Sequence, residues 1–189
     1  MVSYTFIDPS EVAQLYHSGL EPGRDFQVVD VRDEDRIGGH LPGSMRAPSE
    51  QRTLQSVQDL VVKLEGVPKV IFHCTLSQIR GPKAASLYCT ALNERHDALE
   101  LGSATSDSTI KNSGNPTPAP STKDSTNTRA AQNFSPNPFE LNASASEQNR
   151  SQQVLVLRGG FGEWQRMYKD DPKLVEGFDP SIWVEGEDY

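Results

Sequence analysis

Residues 69–88 read "KVIFHCTLSQIRGPKAASLY", and the order of side-chain types along them decides the fold. Lys69–Phe72 is a short apolar run rich in β-branched and aromatic residues, the mark of a buried strand. From Gly81 onward apolar residues return at helical spacing, and Ala84, Leu87, Cys89 and Leu92 are expected to face inward. His73 to Arg80 is therefore the turn from the carboxyl end of a strand into the start of a helix. In open α/β sheets that is where ligands bind.

The flanks repeat the alternation. "SYTFI" reads as a strand, and Asp8, Pro9 and Glu11 start a helix whose stripe is Val12, Leu15 and Tyr16. "FQVVDV" is a buried strand bounded by charged "RDEDR". Val57, Leu60, Val61 and Leu64 mark a helix closed by Gly66 and Pro68. "QVLVL" supplies a late strand and "FGEWQRMY" a last helix. Such alternation implies a mostly parallel central sheet with helices on both faces. No internal repeat is visible.

Between these flanks the composition shifts to Ser, Thr, Asn and Pro without any period. Residues 100–153 are read as a disordered low-complexity insertion, because such text buries too little apolar surface to offset the entropy of ordering. Residues 1–99 and 154–189 then form one discontinuous domain, which loop-closure entropy permits. Within the insertion Asn133, Asn142 and Asn149 each begin an N-x-Ser triplet. Thr117-Pro118 and Ser135-Pro136 match proline-directed phosphorylation. Both patterns are common by chance in such text, and an unmodified spacer is the preferred reading.

The whole chain has 189 residues, 35% of them hydrophobic, and a net charge of -8, which disfavours a general grip on nucleic acid or an anionic membrane. Its two cysteines, Cys74 and Cys89, lie at opposite ends of one expected helix, so no disulfide framework is expected. With no signal-like start and no long apolar run, a cytoplasmic or nuclear protein is expected.

Cys74 and Arg80 carry the chemistry. A thiol at a helix N-terminus meets unpaired backbone N–H groups and the positive end of the helix dipole, and Arg80 adds a full charge; both favour the thiolate. The five residues between them, Thr75, Leu76, Ser77, Gln78 and Ile79, can curl so that their amides face a tetrahedral oxyanion, with Arg80 forking across two of its oxygens. The thiolate would attack the central atom in line. Ser77 can donate to the sulfur or cap the following helix. His73, out of phase with Cys74, is read as a buried imidazole that shapes the loop together with Gly81. Asp33, Glu34 and Asp35 follow "FQVVDV" and could lie near the same sheet edge as sources of the leaving-group proton, but a charged run is usually a solvated loop, and none of the three is singled out. Trp164 and Trp183 are read as packing residues.

The string "HCTLSQIRGP" resembles the signature of the M-phase-inducer dual-specificity phosphatases and of the related eukaryotic arsenate reductases, which share a rhodanese-like fold. "VVDVRDEDRIGGHLPGSMRAP" is similar to the rhodanese stretch at Asp30, Arg32, Gly39, His40, Pro42 and Gly43, and "VLVLRGGFGEW" to its late strand and Gly-Gly turn. The resemblance implies Cys74 as nucleophile and Arg80 as oxyanion clamp, in a loop one residue longer than that of the rhodanese sulfurtransferases. The M-phase inducers carry glutamates in the loop where this chain has Thr75 and Ile79, and a second cysteine where it has Val31. The leading expectation is a phosphatase acting on tyrosine or dual-specificity phosphoproteins through a phosphocysteine. The alternative is an arsenate reductase drawing on glutathione and glutaredoxin; a thiosulfate sulfurtransferase and a non-catalytic phosphate-binding scaffold stand behind both. No bound cofactor or metal is expected, and the partner is a phosphoprotein or a free phosphate or arsenate.

Overall fold

The period-2 alternation of apolar side chains along the inner strands places the helices. The protein's structure, a computed structural model, describes residues 1–104 and 152–183. β2 (Gln27–Asp30), β4 (Lys69–His73) and β5 (Gln153–Leu157) are almost wholly buried. Val29, Val70, Phe72, Val154 and Val156 enter one core, while Val28, Ile71, Leu155 and Leu157 enter the other. α2 (Leu54–Lys63) and α3 (Arg80–Ala104) cover the first face. α1 (Pro9–His17) and α4 (Gly160–Tyr168) cover the second.

All five strands run parallel, in the order β1-β5-β4-β2-β3, with β1 at Tyr4–Ile7 and β3 at Met45–Arg46. A two-residue edge strand such as β3 leaves no periodic trace in a sequence. α1 starts as expected, with the Asp8 amide donating to the Glu11 carboxylate at 3.0 Å. Gly66 ends α2 with φ +81°, which glycine adopts without steric cost. No described helix is long and apolar enough to cross a membrane.

Two expectations need correction. In α3, Ala84, Cys89 and Leu92 are buried, but Leu87 is 40% exposed and Tyr88 takes the inward place. The contact with α2 and the sheet selects the stripe 84, 85, 88, 91, 92, and position 87 falls outside it. The second concerns the edges of the insertion. α3 continues to Ala104, and the chain is already fixed at Gln152. There the buried amide donates to the carbonyls of Leu64 (2.9 Å) and Val67 (2.7 Å) and accepts the Tyr88 hydroxyl at 2.8 Å. The N-x-Ser triplets and the Thr-Pro and Ser-Pro pairs lie outside the described residues.

Candidate active site

β4 ends at His73, and the next six residues bend back over its carboxyl end before α3 begins at Arg80. Cys74 therefore sits beneath the loop with 4% of its surface exposed, deeper than a reading as an open loop thiol anticipates. Its Sγ accepts the Ser77 amide at 3.1 Å, and its own amide donates to Ser77 Oγ at 3.4 Å. Ser77 holds φ at +55°, the only non-glycine residue in the left-handed region among those described. Its amide is aimed at the sulfur, as an anion-holding loop requires, while its hydroxyl neither donates to sulfur nor caps α3 but accepts from Cys74. A Cβ at Gly81 would lie 3.4 Å from Ser77 Oγ and 3.6 Å from the Cys74 amide, so the turn closes tightly over this position. Thr75 and Leu76 are half-buried, and Gln78 and Ile79 face solvent.

A second element holds the loop from outside. The amides of Phe161 and Gly162, in the first turn of α4, donate to the carbonyls of Cys74 (2.9 Å) and Thr75 (2.8 Å). This close approach requires Gly160: with φ +60°, a Cβ there would stand 2.5 Å from both carbonyl oxygens. The unpaired N–H groups of a helix start thus hold the Cys74 loop.

Behind the loop lies a buried ionic cluster. Asp30 accepts from the amide and Nε of Arg32, from Arg32 Nη2 at 2.7 Å, and from Arg36 Nε at 3.1 Å. Arg32 also donates to the Gly39 carbonyl and lies over the Phe161 ring, 4.2 Å from its centroid. Burial opposes ionisation of Asp30, but the charge of His73 and the hydrogen bonds of Arg32 outweigh it and hold the carboxyl down at about 2. His73 is fully buried, with Nδ1 3.3 Å from the Cys74 carbonyl. Burial pushes its pKa down against the pull of Asp30. It is a buried strut of the loop, as the strand register implies.

The acidic run after β2 departs from expectation. Glu34 is exposed, whereas Asp33 and Asp35, both half-buried, are engaged by Arg80. Arg80 Nη1 donates to Asp35 Oδ1 at 2.8 Å and to Asp33 Oδ2 at 3.1 Å, and Nη2 donates to Asp35 Oδ2 and, at 3.2 Å, to Thr75 Oγ1. The Thr75 hydroxyl in turn donates to Asp35. Hydrogen bonding from Arg80, foremost, holds the Asp35 carboxyl well below the usual carboxylate range. Asp33 is lowered too: burial opposes this, but Ser49, Glu50 and Arg80 donate to it and prevail. Nothing in the linear text marks these pairs, because the partners are 45 and 47 positions apart.

Comparison with known proteins now decides the family. The dual specificity phosphatase ibp1 of Schizosaccharomyces pombe is 31% identical over 159 residues, covering 83% of this chain and 87% of that protein. The chain belongs to the CDC25-like family. The CDC25-like phosphatase YCH1 of Saccharomyces cerevisiae is 27% identical over 192 residues, 94% of this chain and 93% of its own length. Arsenate reductase 2.2 of Oryza sativa subsp. japonica is 37% identical over 75 residues, 39% of this chain and 57% of that protein. A solved yeast protein tyrosine phosphatase of the rhodanese family superposes with a TM-score of 0.58 at 24% identity, covering 97% of this chain and 99% of that one, which establishes the rhodanese-like fold. No protein-family model matches the chain.

The protein is thus a cysteine-based enzyme of the CDC25-like phosphatases and arsenate reductases. Within that family its loop has no carboxylate of its own, and Asp35 reaches the Thr75 position through space instead. Val31, where the resemblance implies a second cysteine in the M-phase inducers, is buried in the core that holds Cys74. Cys89 is a buried core thiol, pushed up to about 11 by burial. Both cysteines are free.

Proposed function

We propose that the protein hydrolyses phosphate monoesters of tyrosine or dual-specificity phosphoprotein substrates through a phosphocysteine. The observation that carries this is the Cys74 sulfur at the foot of a loop whose Ser77 amide points at it and whose far end is a guanidinium. In the first step Sγ attacks phosphorus in line; the S–P bond forms, the ester P–O bond breaks, and the leaving oxygen takes a proton from solvent water. In the second step water attacks phosphorus, the S–P bond breaks and phosphate departs. Loop amides and Arg80 stabilise the charge that develops on the phosphoryl oxygens. Purified protein is expected to hydrolyse p-nitrophenyl phosphate, and Cys74→Ser to lower turnover by about a thousandfold or more. Undiminished turnover in that variant rules the mechanism out.

Arsenate reduction is the second reading, favoured by the match to arsenate reductases. Here Cys74 displaces an oxygen of arsenate to form a thiol–arsenate adduct. Glutathione and glutaredoxin, supplied from outside, provide the two electrons that take As(V) to As(III). Arsenite formation is expected only with both reductants present, and its absence then removes this reading. A cytoplasmic or nuclear location would keep both free cysteines reduced. Microscopy of a fluorescent fusion tests it.

A further inference from the structure

Arg80 enters the site already committed to Asp33, Asp35 and Thr75. A second guanidinium stands close by and is not committed. Arg52 lies in the turn before α2, where its amide donates to the Ser49 carbonyl at 3.4 Å. That turn is laced to the active site: the Ser49 hydroxyl and the Glu50 amide, the latter at 2.9 Å, both donate to Asp33, the carboxylate that also receives Arg80 Nη1. Arg52 also borders the cleft floored by Val31 and Phe72 at the ends of β2 and β4. Its Nη2 is buried and has no hydrogen-bond partner.

A buried guanidinium nitrogen without an acceptor is costly and rare in a native protein. Arg32 Nη1 shares this condition, but it belongs to the opposite face of the sheet, against Phe161. Arg52 belongs to the face of the sheet that carries Cys74: Val31, Val57, Phe72, Ala84 and Tyr88, which share its cleft, lie in the same core as Cys74, and the charges of Asp33 and Cys74 oppose the lowering of its pKa by burial. An oxyanion seated over Cys74 would supply the missing acceptor, and a planar fork suits two oxygens of a tetrahedral anion.

We propose that Arg52 is a second guanidinium of the oxyanion site, donating through Nη2 to an oxygen of the phosphoryl group held over Cys74. This rests on the reading of Cys74 and its loop as an oxyanion-binding nucleophile. The clamp is then two-sided, with Arg80 reaching from α3 and Arg52 from the turn before α2.

The test uses the full chain, with orthovanadate as the probe. Wild type, Arg52→Ala, Arg52→Lys and Arg52→Gln are compared by vanadate protection of Cys74 against iodoacetamide and by hydrolysis of p-nitrophenyl phosphate. Arg52→Ala is expected to weaken vanadate protection about tenfold or more, as loss of a charge-assisted hydrogen bond does, and to raise KM. Arg52→Lys should recover part of the affinity by keeping the charge, and Arg52→Gln should not. Thermal melting separates loss of anion binding from loss of fold; should the alanine variant fail to fold, the lysine and glutamine variants decide. Wild-type affinity in the folded variants overturns the proposal while leaving the phosphatase reading intact. Absence of vanadate protection in the wild type overturns both.

Discussion

Asp35 makes the free site a competition. It holds Arg80 through both oxygens and takes the Thr75 hydroxyl as well, so an incoming oxyanion must draw the guanidinium away from a carboxylate. Asp35→Asn is expected to tighten vanadate inhibition about tenfold, because the competitor for Arg80 leaves. Were Asp35 only a strut that orients Arg80, the same substitution would weaken inhibition; the sign of the change in inhibition constant decides. Asp30 makes a different prediction. Its folded pKa of about 2 lies below the unfolded value, so it stabilises the fold above pH 4 and loses that contribution, about 2 kcal/mol, as pH falls towards 2. His73, also depressed in the fold, adds loss as pH drops below about 6.5. Urea unfolding is expected to show stability declining in two stages, and equal stability at pH 7 and pH 4 would contradict a buried neutral His73. Cys74 and Arg80 were legible in sequence because their spacing within one turn is itself the motif. Asp33 and Asp35 could be placed only near the same sheet edge; their pairing with Arg80, 47 and 45 positions away, leaves no trace in the text, and neither does the place of Arg52.

At the scale of elements, the site depends on α4 resting on the β4–α3 loop. Gly160→Ala forces a Cβ against two carbonyl oxygens at a backbone conformation that already disfavours side chains. A fall in Tm of about 5 °C or more is expected, with kcat/KM reduced about tenfold because the Cys74 and Thr75 carbonyls lose their anchors. Wild-type kcat/KM in that variant would show that the loop keeps its shape unaided. The Gly-Gly turn was visible in the sequence, but its partner was not: a helix start advertises free N–H groups without saying which carbonyls they meet. Helix α3 shows the converse. Its existence is plain and Ala84, Cys89 and Leu92 face inward as expected, while position 87 does not, since Leu87 and Tyr88 are both apolar enough to be buried and only the packed surface chooses between them.

Across the whole molecule, alternating strands and helices were sufficient to identify a parallel α/β domain, while the strand order was not readable. Hydrophobic runs report burial but not neighbours. We propose that residues 1–104 and 152–183 act as one folding unit despite the long segment between them. Replacing residues 106–150 with a short Gly/Ser linker is expected to preserve p-nitrophenyl phosphate hydrolysis within about twofold, because closure entropy changes little with length. Loss of both melting transition and activity would show that the segment is required for the fold.

β5 has a further consequence. It comes last among the strands yet lies between β1 and β4, and Gln152 ties its entry to α3 and to the turn after α2. A ribosome-bound chain that has emerged only as far as Ala104 has Cys74, Arg80 and Arg52 but a gap through the middle of its sheet. Maturation of the enzyme therefore waits for the distal portion of the polypeptide. A protease that nicks the connecting stretch afterwards should leave two pieces that co-elute and still turn over substrate.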